Sequence, residues 1–207
     1  MKLFSTVQKR GDAEQVIERS RFIAHVLPVE SREEAEAFFT EIRKEYRDAT
    51  HNVPAMVIGD KAQLQWASDD GEPQGTSGAP MVQLMVRQGI TNTAIIVTRY
   101  FGGIKLGTGG LVRAYTSSAK IGLESAGICD VEERDALEFI IDYKGFNRVQ
   151  NHPFEDGIEL GDIQYLDKVT FTAVCDDPEH CIAVMRGLTG GAAELVGQER
   201  RRIMIPR

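Results

Sequence analysis

Val97-Thr98-Arg99-Tyr100-Phe101-Gly102-Gly103-Ile104-Lys105-Leu106-Gly107-Thr108-Gly109-Gly110-Leu111-Val112-Arg113 reads as the end of a strand, a glycine-rich loop and the start of a helix. The residues leading into it, Thr93 to Thr98, are apolar and β-branched without alternation, the pattern of a strand covered on both faces. Beyond it, Leu111, Val112, Tyr115, Ala119 and Leu123 recur at helical spacing up to Gly127, which predicts a long helix from Thr108. A strand, glycine loop and helix start in this order present free backbone amides, and the positive end of the helix dipole, to an anion. Two nucleotide motifs are excluded. Gly102 and Gly107 have P-loop spacing, but Thr108 stands where the phosphate-binding Lys belongs. Gly107-Thr108-Gly109 begins a dinucleotide fingerprint, but Val112 replaces its third glycine. Two readings stand side by side: glycines for a sharp turn and close helix packing, or an anion site. Arg99, Lys105 and Arg113 tip the balance towards a phosphate or carboxylate partner, with Gly102, Gly103, Gly107, Thr108, Gly109 and Gly110 as its backbone.

The charge of the chain sharpens this reading. The 207 residues carry 24 Lys and Arg against 31 Asp and Glu, a net charge of −7, which excludes a wholly basic nucleic-acid coat. Yet the stretch between Glu72 and Glu124 has no acidic residue, while it carries Arg87, Arg99, Lys105, Arg113 and Lys120 and nine of the 20 glycines. The middle of an acidic protein is basic, and its surface favours anions.

Immediately upstream lies Ser68-Asp69-Asp70-Gly71-Glu72-Pro73-Gln74-Gly75-Thr76-Ser77-Gly78-Ala79-Pro80. Its three carboxylates have the chemistry to hold a hard cation or to move protons, but their spacing is not that of an EF-hand loop. Asp, Gly, Ser and Pro also form turns and cap amides. The stretch is longer than an ordinary connection. The favoured reading is a structured loop beside the glycine loop, with acids that pair with Arg99 or Arg113.

Other signals are weaker. Cys129, Cys175 and Cys181 are too few for a disulfide scaffold; with no apolar leader or membrane-length run, they predict a cytoplasmic protein. Cys175, His180 and Cys181 have poor zinc spacing and read as core thiols. Trp66 reads as core or pocket wall. Arg200-Arg201-Arg202 reads as charge on an edge strand, or as an RNA phosphate contact.

The remaining pattern predicts an α+β protein of two domains. Residues 13–30 read as a pair of strands, and Ser31-Arg32-Glu33-Glu34 as a capping box. It starts a helix whose inner face is Ala35, Phe38, Phe39 and Ile42. Strands follow at Val53–Ile58 and Leu64–Ala67, then a short helix with Met81, Leu84 and Met85 inside. The charged run Asp130 to Asp135 reads as a solvated connection, so the domains are expected at 1–134 and 135–207. The second has the order β-α-β-β-α-β of the ferredoxin-like unit.

The pair of motifs Asp69-Asp70-Gly71-Glu72-Pro73-x-Gly75-Thr76-x-Gly78-x-Pro80 and Arg99 to Tyr115 resembles the IMPACT family in its bacterial two-domain form, as do Ser20-Arg21-Phe22 and His51. The resemblance spans residues 20–115. It implies a first domain with a mixed sheet and two long helices, like domains of a ribosomal protein and an elongation factor, and a second like the last domain of elongation factor G. It also implies a role in translation: eukaryotic relatives regulate the amino-acid starvation response through protein contacts and associate with ribosomes. It carries over no catalytic residue and no cofactor. The resulting expectation is a cytoplasmic, non-enzymatic regulator that binds RNA or a ribosome-bound partner. The alternative is a hydrolase-type enzyme using Asp69, Asp70 or Glu72 beside the glycine loop; a third reading is a module that binds protein alone.

Overall fold

A computed structural model describes residues 2–207. The chain runs through strand β1 (Lys2–Val7), β2 (Gly11–Ile17), β3 (Ser20–Pro28), helix α1 (Arg32–Glu45), β4 (His51–Ile58), β5 (Leu64–Ala67), α2 (Gly78–Arg87), β6 (Thr93–Tyr100) and α3 (Gly107–Ala126). It continues through β7 (Ile128–Ile141), α4 (Tyr143–Gln150), β8 (Glu159–Tyr165), β9 (Val169–Cys175), α5 (Pro178–Thr189) and β10 (Glu194–Pro206). Two compact units result: Lys2–Val131 together with Met204–Arg207, and Glu132–Ile203.

The first unit is built on a sheet of order β2-β3-β6-β4-β5. Its pairs β2–β3, β3–β6, β4–β6 and β4–β5 are all antiparallel, not mixed as expected. The reason lies in the crossover. Helix α1 carries the chain from β3 to a parallel β4, but β6 fills the gap between them and runs against both. Strand β6 is central and buried nearly throughout, which explains its unbroken apolar run. Its Ala94 and Ile96 pack with Met56, Phe38, Phe39 and Ile42 on the α1 side. Its Ile95 and Val97 join Met81, Met85, Leu111, Tyr115 and Leu123 in the core under α2 and α3. The Ser31 hydroxyl caps α1 by accepting from the Glu34 amide at 3.2 Å, but Glu34 returns its bond to the amide of Glu30, one residue before the box position.

In the second unit the elements follow in the order β7-α4-β8-β9-α5-β10, with β10 pairing β7 and β7 and β8 flanking β9. Leu137, Phe139, Phe146, Phe171 and Met185 fill its core. Cys175 and Cys181 are buried free thiols, and burial pushes the Cys181 thiol up to about 12, so neither is a ready nucleophile.

The charged run Asp130 to Asp135 is not a solvated connection; it lies inside the fourteen-residue strand β7. Cations distant in sequence accommodate it. Lys2 and Arg207 bind Asp130, and Arg200 reaches Glu133 and Asp135. The expected boundary at residue 135 therefore falls within a strand, and Met204–Arg207 count with the first unit. The charge divides unevenly between the units. Glu132–Ile203 carry 8 basic and 15 acidic residues, and the first unit 16 of each. The whole deficit of the chain belongs to the second unit. Among the described residues no helix is long and apolar enough to cross a membrane.

Candidate functional site

The two motifs meet on the first unit. Asp69 is the keystone of the acidic loop. Its Oδ1 accepts from the Ser77 amide at 3.2 Å, the Ser77 hydroxyl at 2.7 Å and the Gly78 amide at 3.0 Å, and its Oδ2 accepts from the Gly75 amide at 2.7 Å. Asp69 thereby caps α2 from outside the helix, since Ser77 makes no side-chain cap of its own. Burial opposes the charge on Asp69, but the donated bonds outweigh it and hold the carboxyl below its ordinary range. Asp70 sits in the left-handed region at φ 48. Its carboxylate accepts from the Asn52 amide at 2.6 Å, and its carbonyl lies 2.7 Å from His51 Nδ1.

Glu72 points inward and is buried. Its Oε1 accepts from Arg99 Nη1 at 2.6 Å and from the Tyr115 hydroxyl at 2.7 Å, while its Oε2 lies 3.8 Å from His51 Nε2. Burial, and then the bond to Glu72, raise the Tyr115 pKa far above that of an ordinary phenol, so it stays a neutral donor. The Arg99 guanidinium lies between the rings of Phe22 and Phe101, 5.4 and 5.5 Å from their centroids. Its Nη2 reaches the Ser20 hydroxyl at 3.4 Å, and its buried Nε has no partner. Ser20, His51, Glu72, Arg99 and Tyr115 thus form one polar cluster.

The expected pairing of an acid with Arg99 is present, through Glu72. Arg99 is consequently only 5% exposed and unavailable to an outside anion, so its place in the anion site is corrected. Sequence reasoning also left Ser20, His51 and Tyr115 out of the site. Tyr115 had the period of a core residue, and nothing in its spacing revealed the buried acid opposite. Among the described residues no group of acidic, His and Cys side chains has the arrangement of a metal site. Asp69, Asp70 and Glu72 are each engaged in the internal bonds described above. Pro73 and Thr76 close the loop, with the Thr76 hydroxyl donating to the Pro73 carbonyl at 2.6 Å, and Gly71 lies against the His51 ring.

The glycine loop divides in two. Gly102 is needed for packing: a Cβ there would lie 2.0 Å from the carbonyl carbon and oxygen of Arg19 in the β2–β3 turn. Gly110 is also close-packed, since a Cβ there would lie 3.0 Å from the Leu106 side chain, whereas the other three glycines of the loop are open. A Cβ on Gly103 or Gly107 would meet nothing within 4 Å, and one on Gly109 only the tip of Arg113 at 3.8 Å. Helix α3 starts without a side-chain cap and without an acid in its first turn. Gly107, Thr108 and Gly109 are exposed there. Lys105 and Arg113 line a cavity of about 420 Å³ beside them, with Ile104, Leu106 and Gly110 and one acid, Glu18. Arg113 also lines a groove of about 550 Å³ between α2 and α3, together with Arg87 and Lys120. The exposed cations of the acid-free stretch therefore share one face.

A two-unit α+β chain with these interlocked motifs belongs to a defined class, and its likeness to known proteins says which. Residues 18–123 match the family described as the Impact N-terminal domain. The chain is 40% identical over 176 residues to the IMPACT family member YvyE of Bacillus subtilis, covering 85% of this chain and 81% of that one. It is 46% identical over 101 residues to the IMPACT family member YigZ of Escherichia coli, covering 48% and 50%. A crystal structure of a protein described as hypothetical superposes with a TM-score of 0.60 at 27% identity, covering 95% of this chain and 98% of that one. The chain belongs to the IMPACT family.

Proposed function

We propose that this protein is a translation-associated regulator that acts by contact, binding ribosomal RNA or a ribosome-bound partner through the face formed by α2, α3 and the glycine loop. The observation that carries the reading is the sorting of the cations. Arg99 is neutralised inside by Glu72, whereas Arg87, Lys105, Arg113 and Lys120 line adjoining cavities on the outside. This basic face belongs to a unit of zero net charge, so it is a local feature and not a general attraction to anions. The open amides at the start of α3 suit a phosphate or a carboxylate equally. Family membership supports the translational setting. The hydrolase reading has less support, because Asp69 is spent on capping α2, Asp70 on the Asn52 amide and Glu72 on the Arg99 cluster. In the second unit, the β-α-β-β-α-β order and the placing of β7 between β10 and β9 support the ferredoxin-like reading and the likeness to the last domain of elongation factor G.

Co-sedimentation with ribosomes over a series of salt concentrations tests the reading. Association should weaken steeply with salt. Lys105→Ala with Arg113→Ala should reduce both the affinity and the salt slope, the slope by about 0.7–0.9 for each phosphate no longer neutralised. No association at low salt, or association indifferent to both substitutions, overturns it.

A further inference from the structure

We propose that the groove between α2 and α3 seats an amphipathic helix with acidic flanks, supplied by a partner protein. The proposal rests on the reading above and names the chemistry of the ribosome-bound partner. The groove has an apolar floor and a cationic rim. Pro80, Leu84, Val112 and Thr116 form the floor, and Val112 is 36% exposed there. The rim carries Arg87, Arg113 and Lys120. Among the described residues neither Arg87 nor Arg113 has an acidic partner, and Lys120 has only the exposed Glu124 at 3.9 Å.

The combination discriminates between partners. A phosphodiester backbone answers the rim but has nothing to cover aliphatic side chains, and nucleic-acid platforms use aromatic rings for stacking, of which this groove has none. A helix with apolar residues at i, i+3, i+4 and i+7 covers the floor, and carboxylates on its flanks meet the three cations. The ten residues of α2 give a wall of about 15 Å, the length of nearly three turns of a docked helix.

The test uses the full chain and a fluorescein-labelled synthetic peptide of about 18 residues, with leucines at those four spacings and glutamates between them. Anisotropy should show saturable binding that weakens with salt. Val112→Asp or Arg113→Glu should weaken it by about tenfold or more, with thermal unfolding unchanged, since both side chains are exposed. A peptide with lysines in place of the glutamates should not bind. Amide shifts in the HSQC spectrum should centre on Leu84, Val112 and Thr116.

No saturable binding up to about 1 mM peptide, binding indifferent to both substitutions, or amide shifts centred elsewhere overturns the proposal. So does occupation of the groove by a uridine oligonucleotide that the peptide cannot displace. If the peptide fails while ribosome association persists and depends on Arg113, the docked helix falls and the proposed function stands. If the peptide binds and ribosome association is absent, the groove assignment stands and the translational reading falls.

Discussion

Arg99 Nη1 donates to Glu72 Oε1 at 2.6 Å across 27 residues of sequence, with both side chains buried. This bond ties the acidic loop to the central strand. Taking two charges out of water is costly, and a buried pair repays that cost only with good geometry and further partners. Glu72 has such a partner in Tyr115. Removing one charge leaves the other stranded. Glu72→Gln and Arg99→Met should each destabilise the first unit by about 3–5 kcal/mol, measured by urea unfolding. The double variant should cost less than the sum, because it buries no unpaired charge. Additive losses would show that the pair is not coupled.

Tyr115→Phe isolates the third member of the cluster. It deletes one hydroxyl from the buried face of α3, and it removes a donor to a charged acceptor, a change of about 1.5–3 kcal/mol. The loss should shrink sharply in the Glu72→Gln background. An equal loss in both backgrounds would assign the effect to packing, including the edge-to-face contact with Phe22 at 5.4 Å.

Asp69 predicts a pH dependence. Its folded pKa lies below its unfolded value, so the stability it contributes is present above the unfolded pKa and is lost as pH falls through the folded one. Acid unfolding of the wild type should therefore include a component that Asp69→Asn lacks below about pH 4, the ordinary carboxyl range. At neutral pH the substitution should cost about 0.5–2 kcal/mol, as removal of a helix cap does. Parallel stability curves for the two proteins down to pH 2 would contradict this account.

Much of this architecture was legible in the chain. Strand β6 announced itself by apolar residues on both faces, and α3 by the spacing of Leu111, Tyr115, Ala119 and Leu123, because burial imposes those periods directly. The pairing of a loop acid with Arg99 was likewise legible, and Glu72 makes it. What escaped was long-range. The Asp130 to Asp135 run looked solvated because its cations, Lys2, Arg200 and Arg207, are far away in sequence. Arg99 looked like a ligand-binding cation because charge is visible in a sequence and burial of a charge is not. The antiparallel sheet was hidden for a similar reason: a β-α-β order does not reveal that a later strand will fill the gap it leaves.

The two kinds of glycine in the loop should separate on mutation. Gly102→Ala places a methyl group 2.0 Å from the backbone of Arg19 and cannot be absorbed by a side-chain shift. It should cost about 1–3 kcal/mol, as overpacking does. Gly109→Ala meets only the mobile end of Arg113, inside a helix, and should gain about 0.4–1 kcal/mol from the less flexible unfolded chain. If Gly109→Ala stabilises the fold and weakens ribosome association, the open glycine serves the approach of a ligand. If association is untouched, the glycine there has no such role.

The second unit carries the entire charge deficit of the protein, and Arg134 sits among three of its acids. It lies 3.1 Å from Asp176, 3.5 Å from Glu159 and 3.7 Å from Glu132, and is itself mostly buried. One cation thus separates three acids drawn from β7, β8 and the start of the turn after β9. The pairs with Glu159 and Asp176 are worth little alone, because those two acids are largely exposed while Glu132 is half-buried, but removing the cation leaves like charges facing one another. Arg134→Gln should destabilise this unit by about 1–2 kcal/mol at low ionic strength. About 0.5 M salt, with a Debye length under about 5 Å, should recover most of the loss. Hydrogen exchange at the amides of β8 and β9, compared with those of β6, reads the effect in one experiment. Protection should fall in β8 and β9 at low salt, return at high salt, and remain unchanged in β6. A loss that salt does not restore would mean that Arg134 acts by packing its aliphatic stem and not by its charge.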